Sequence, residues 1–162
     1  QAARAGEAFD VASGLPASEM RRKNAATLVE LAAEYAVMKW PDQAANSRRS
    51  TVESLATACA SFVVDGPGRP DVALLRRVLT VHLLPPEDRR DVLGDDARGA
   101  VAWLTKASRS SGTCGDQAAR ELLDGLTKNL DGTTPAATGI NRKRVGVHNL
   151  LAYAVGRLML AW

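Results

Sequence analysis

The chain has 162 residues, 46% of them apolar and 4% aromatic, and carries a formal net charge of +3. That suits one domain with a core of its own, and it excludes a bilayer-spanning helix, because no apolar run approaches the ~20 residues needed. Two cysteines, Cys59 and Cys114, exclude a disulfide framework and have no zinc-ligand spacing, and a charge this small makes the placement of basic residues, not their total, the guide to an anionic partner.

Residues 1–24 show no sustained periodicity. Gly6-Glu7-Ala8-Phe9-Asp10 and Ser13-Gly14-Leu15-Pro16 read as extended or turning segments before the basic Arg21-Arg22-Lys23. This stretch is expected to be an arm or linker, with the domain occupying residues 25–162. The first helix opens at Thr27, where Thr27-Leu28-Val29-Glu30 has the form of a capping box. Leu28, Leu31, Tyr35 and Met38 follow at helical spacing, and Pro41 ends it. A second helix starts near Ala44, with Val52, Leu55, Ala56, Cys59, Phe62 and Val63 as its apolar stripe. Arg48, Arg49, Glu53 and Thr57 lie off that stripe, and Asp65-Gly66-Pro67-Gly68 terminates the helix.

Asp71 caps a third helix with Val72, Leu75, Val78, Leu79 and Leu83 on one stripe, stopped by Pro85-Pro86. A charged connection from Glu87 to Asp96 leads to a fourth helix, Ala97–Ala107, with Val101 and Leu104 inward and Trp103 at its edge. After a loop, Ser108 to Gly115, a fifth helix spans Asp116–Asn129 with Leu122, Leu123 and Leu126 packed. Asp131-Gly132 ends it. The last helix runs from Pro135 or Ala136 to Leu160. Ile140, Val147, Leu150, Leu151, Ala154, Val155 and Leu158 mark its apolar face, while its first half is polar and basic. An excess of Ala and Leu favours helix throughout, and no β alternation appears. The expectation is an all-α bundle of about five to six helices with an extended N-terminal arm.

Two helix starts break the amphipathic rule. One gathers Lys39 with Asn46, Ser47, Arg48 and Arg49; the other gathers Thr138, Asn141, Arg142, Lys143 and Arg144, with His148 one turn on. Cations near a helix N-terminus oppose the helix dipole, so their presence calls for an anionic partner. Asn and Arg make bidentate contacts with adenine and guanine edges, and Ser and Thr reach phosphates. The plain alternative is a pair of solvated faces on ordinary surface helices.

The order of these features resembles the N-terminal region of actinobacterial phage-type tyrosine recombinases (integrases). The pieces that carry it are the Gly-Glu-Ala-Phe-Asp-Val…Gly-Leu-Pro arm, Thr-Leu-Val-Glu…Tyr-Ala-Val-Met-Lys-Trp-Pro, Ala-Asn-Ser-Arg-Arg-Ser, and Asn-Arg-Lys-Arg-Val…His-Asn-Leu-Leu-Ala-Tyr-Ala-Val. They lie mainly in residues 6–64 and 134–158. The resemblance implies a SAM-like core-binding domain, one jaw of a clamp around double-stranded DNA, which also touches other protomers in a tetrameric synapse. It implies DNA contacts at Lys39, Asn46, Ser47, Arg48 and Arg49, and at Thr138, Asn141, Arg142, Lys143 and Arg144.

That family's chemistry needs an Arg, a Lys, a His-x-x-Arg pair and a nucleophilic Tyr in a separate catalytic domain. Here His82 is followed at +3 by Pro85 and His148 by Leu151, while Tyr35 and Tyr153 sit in apolar stripes and read as core residues. The chain opens without Met and stops about where a linker to a catalytic domain would begin, so it reads as a fragment that does not cut DNA by itself. No cofactor or metal is expected, both thiols are expected to be free, and a reducing bacterial cytoplasm is the expected setting. Two rivals remain: a helix-turn-helix regulator and a helical protein-interaction module with no nucleic-acid partner.

Overall fold

The computed structural model describes residues 25–113, 116–129 and 133–160, together with 9, 11, 14–16 and 19. Most of the expected arm and Cys114 lie outside the described residues. The architecture is an all-α bundle of six helices with no strand among the described residues. The helices are α1 (Leu28–Lys39), α2 (Ala45–Ser61), α3 (Val72–Arg77, continuing as a π-helical turn over Val78–Leu83), α4 (Asp95–Ala107), α5 (Asp116–Gly125) and α6 (Ala137–Leu160).

Local chemistry sets the helix starts. Thr27 Oγ1 accepts from the Glu30 amide at 3.3 Å, and Glu30 Oε2 accepts from the Thr27 amide at 2.7 Å, which completes the capping box. Asp71 Oδ1 accepts from the Leu74 amide at 2.8 Å and caps α3 in the same manner. Ala44, at the start of α2, supplies no side-chain cap.

The central element is α2. Eight of its residues, from Val52 to Ala60, are buried, and it packs against α1, α3, α5 and α6. Such a helix tolerates polar side chains only where each finds a partner. Ser54, Thr57 and Ser61 donate to the carbonyls of Ser50, Glu53 and Thr57 at 2.8–2.9 Å. Thr57, expected off the apolar stripe, is therefore buried without an orphan hydroxyl. Its neighbours approach closely because small residues face each other. A Cβ at Gly125 would lie 2.4 Å from Ser61 Cβ, and one at Gly146 would lie 3.0 Å from Ser54 Cβ. Leu55, Leu79, Leu84, Leu104, Leu122, Leu126 and Leu150 fill the main core. A smaller cluster of Val78, Ala97 and Ala100 joins α3 to α4, with Val101 packed on it.

Several expectations need correction. Met38 and Leu123, expected to be packed, are 45% and 46% exposed. Leu151, Val155 and Val72 are exposed as well. Each stands at the margin of its stripe and not in the core, and Val72 lines a cavity that α3 forms with α2. The fourth helix begins earlier than expected, at Asp95, so its first turn carries Asp95 and Asp96 where carboxylates complement the helix dipole. The fifth ends at Gly125 rather than Asn129. The third closes in the π-helical turn, which brings Val78, Leu79 and His82 inward together. His82 Nδ1 lies 3.1 Å from the Asp91 carbonyl. Pro85 and Pro86 cannot extend the helix, and the Arg90 guanidinium donates to the carbonyls of Leu83 and Pro85.

The loops that flank the core are tied together by backbone. Ser111 N donates to Ala26 O at 2.9 Å, Val64 N to Ala107 O at 2.8 Å and Leu28 N to Arg109 O at 3.3 Å. Arg109 also sits over the Phe62 ring and pairs with Glu121 of α5 at 2.9 Å.

Candidate nucleic-acid interface

Two anchors set the direction of α6. Gly146 lies against Ser54, in the middle of α2, and Tyr153 meets Tyr35, in the second half of α1, with ring centroids 5.6 Å apart. α1 and α2 form an antiparallel hairpin, since Cys59 near the end of α2 reaches Leu28 O at the start of α1. The second half of α1 thus flanks the start of α2, while α6 begins beside the second half of α2, where Lys143 and Thr57 line one cavity, and crosses onto α1, where Arg157 pairs with Glu34. The two basic helix starts consequently lie apart, one at the start of α2 and the other beside its second half.

At the first of these ends, Asn46, Ser47 and Arg49 are exposed and Lys39 is half-buried. The uncapped start of α2 leaves the amides of its first turn facing solvent beside them. Arg48 differs from its neighbours. Its Nε donates to the Trp40 carbonyl at 2.9 Å and its guanidinium lies 5.5 Å from the Trp40 ring centroid. It braces the α1–α2 corner and so holds Lys39 and Arg49 in place.

At the second end, Thr138, Asn141, Arg142 and Arg144 are exposed, and neither arginine forms an ion pair among the described residues. No Asp or Glu occurs anywhere in α6. Lys143 points the other way: Nζ donates to Lys128 O at 3.0 Å and to Asn129 Oδ1 at 2.9 Å. It clasps the segment after α5 to the start of α6. The structure therefore places eight of the ten sequence-flagged residues where a ligand can reach them and turns two, Arg48 and Lys143, into supports. Val145, His148 and Asn149, all exposed on the same side of α6, complete the surface; of these the sequence pattern had pointed only to His148.

A cavity of about 660 Å³ lies between α2, α3 and the start of α6, lined by Glu53, Thr57, Val72, Ala73, Arg76, Asn129 and Lys143. Its polar groups satisfy one another. Arg76 Nε pairs with Glu53 Oε2 at 3.1 Å, Thr57 bonds to Glu53 O, and Asn129 serves Lys143 and Thr133. This is a structural joint.

Elsewhere, burial pushes the Cys59 thiol up to about 12 and raises Tyr35 above its ordinary value, so neither is a poised nucleophile. Among the described residues no group of three or more His, Cys, Asp or Glu is placed to hold a metal ion, and no helix is long and apolar enough to cross a membrane. No protein-family model matches the chain, and neither the curated proteins nor the solved structures contain a match to it.

Proposed function

We propose that the chain is a duplex-DNA-binding helical domain, and specifically the SAM-like core-binding half of a phage-type tyrosine recombinase that grips the recombination site during integration or excision. The observation that carries DNA binding is the surface of α6: Arg142 and Arg144 are exposed and, among the described residues, without an ion pair, on a helix free of carboxylates and mixed with Asn and Thr. Arg49, Asn46 and Ser47 at the uncapped start of α2 supply a second contact. The recombinase assignment rests on the motif resemblance. On this reading the chain has no strand-cutting chemistry of its own, acts in the bacterial cytoplasm on the nucleoid, and meets other protomers on the synapsed DNA.

The test is binding of a labelled duplex across a salt series. Affinity falls log-linearly with salt, by a slope of about −0.9 per phosphate neutralised. Arg142→Ala lowers the slope by ~1 if the side chain meets phosphate, or costs about 1–3 kcal/mol if it meets a base. No binding at low salt, or an affinity indifferent to salt, overturns the proposal. The recombinase half has a separate check. The ~200 codons that follow Trp162 in the native gene then encode an Arg, a His-x-x-Arg and a late Tyr, and an unrelated sequence there removes that assignment while leaving DNA binding to the salt series.

A helical protein-interaction module is the second reading. The exposed Leu151 and Val155 on the second half of α6 favour it, and it requires no salt-dependent duplex binding.

A further inference from the structure

The exposed face of α6 has a composition that the two arginines alone do not explain. Helical spacing divides the first half of α6 sharply. Val147 and Leu150 are buried, and Lys143 and Gly146 are half-buried against α2 and the α5 end. Asn141, Val145, His148 and Asn149 lie on the opposite side, all exposed, with Arg142 and Arg144 on its two flanks. Val145 is 59% exposed at the centre of this face. The core draws nothing from it there, and Val is a poorer helix former than Ala. Among the described residues, Asn141, His148 and Asn149 make no hydrogen bond through their side chains.

We infer that this face reads base edges in the major groove, with Val145 against a thymine 5-methyl group and Asn149 on an adenine, while Arg142 and Arg144 hold the groove walls. The inference rests on the proposed DNA binding and adds to it the residues that determine sequence preference. Four considerations converge. The face from Asn141 to Asn149 is about 12 Å long at 1.5 Å per residue, which covers three to four base pairs. A helix of ~10–12 Å diameter fits the ~12 Å major groove. Asn pairs bidentately with adenine N6 and N7, and a small apolar side chain suits the thymine methyl. The flanking cations match the sign of the phosphates on both sides, and no carboxylate on α6 opposes them.

The experiment is selection of a preferred duplex from a randomised pool with the full chain, followed by uracil-for-thymine replacement at each preferred position. Removal of the methyl at one position weakens the wild type by about fourfold, the value of one buried methyl group. Val145→Ser, which replaces the apolar contact with a hydroxyl at an exposed site, is insensitive to that replacement and keeps its salt slope. Asn149→Ala loses about tenfold discrimination at a different position, again with the slope unchanged. If wild type binds duplex with a salt slope but selects no sequence, or if Val145→Ser and Asn149→Ala select the wild-type sequence, the reading face is refuted and DNA binding stands. If wild type binds no duplex at low salt, both fall together.

Discussion

Adding one methyl group at Gly125 is expected to destabilise the fold, whereas the same addition at Gly99 stabilises it. Gly125 is the last residue of α5, and an alanine Cβ there would sit 2.4 Å from both Cβ and Oγ of Ser61. Non-bonded carbons pack at about 3.5–4.0 Å, so α5 and α2 must separate by about 1 Å or distort. Overpacking of this kind costs ~1–3 kcal/mol. The gain from replacing glycine in a helix is at most about 1 kcal/mol, and less at a helix end. The net expectation is a loss of ~1–2 kcal/mol, or about 3–6 °C in Tm for a chain of this size.

Gly99, inside α4, has no atom within 4 Å of the added methyl, so Gly99→Ala keeps the full helix gain of roughly 0.5–1 kcal/mol. Gly146→Ala, with Ser54 Cβ at 3.0 Å, falls between the two, within about 1 kcal/mol of wild type. Urea unfolding followed by circular dichroism ranks the three. Pairing Gly125→Ala with Ser61→Gly removes the obstructing Cβ and Oγ, so the double mutant recovers more than additivity allows. A Gly125→Ala protein as stable as Gly99→Ala would falsify the close α2–α5 approach, and with it the joint that presents the start of α6.

Other expectations follow from single side chains. Lys143→Met lowers the unfolding midpoint and speeds amide exchange in the first turns of α6, and Arg48→Met does the same at the α1–α2 corner. Neither changes the salt slope of duplex binding as much as Arg142→Ala or Arg49→Ala, and a slope loss as large from Lys143→Met contradicts its assignment as a support. Hydrogen bonds from Arg109, then from Gln117, hold the Glu121 carboxyl below its ordinary value. A lowered folded-state value means the stabilisation is present above the ordinary carboxylate range and is lost as pH falls through the folded value. Glu121→Gln therefore flattens the acid side of the stability–pH profile, and an unchanged profile refutes the pairing. Cys59, buried with its thiol pushed up to about 12, resists thiol reagents at pH 8 in a Cys114→Ser background until the chain unfolds. Labelling of the native protein at the rate of a free thiol contradicts its burial.

How far the sequence reveals this fold depends on whether a signal is local. The capping box at Thr27 and the Asp71 cap are visible because their partners lie three residues away. The inward stripes of α1 and α2 are visible because one face meets one core. Stripe margins are not, since whether Met38 or Leu123 packs depends on which neighbour stands beside it, and that is tertiary information. The supports within the basic clusters show the same division. Lys143 shares its helix face with Val147 at +4 and Leu150 at +7, so periodicity alone could have turned it inward; the local Asn-Arg-Lys-Arg run hides this. Arg48 carries the same cue, with buried Val52 at +4 and Leu55 at +7, and the Asn-Ser-Arg-Arg run hides it likewise. Its partner is the Trp40 carbonyl across a turn, and only the folded corner makes that contact. The Ser61–Gly125 approach joins positions 64 residues apart, beyond any periodic pattern.

The opposed placement of the two basic helix starts leads to a last prediction about the footprint. Arg142 stands at the start of α6, beside the second half of α2, and Arg49 at the start of α2, while the outer face of α6 is set in one major groove ~12 Å wide. With the outer face of α6 in that groove, the start of α2 reaches a backbone beyond its edge. Phosphate ethylation should then interfere with binding on both walls of the groove that holds α6, where Arg142 and Arg144 lie, and in a separate group outside it, where Arg49 lies. Arg49→Ala abolishes interference in the outer group and leaves both walls, and Arg142→Ala abolishes it on one wall and leaves the outer group, because phosphate contacts act locally and their counterion release is counted contact by contact. A single continuous run of sensitive phosphates, weakened equally by both substitutions, would mean that the two clusters share one contact point. The placement of the two starts toward opposite ends of α2 does not allow that.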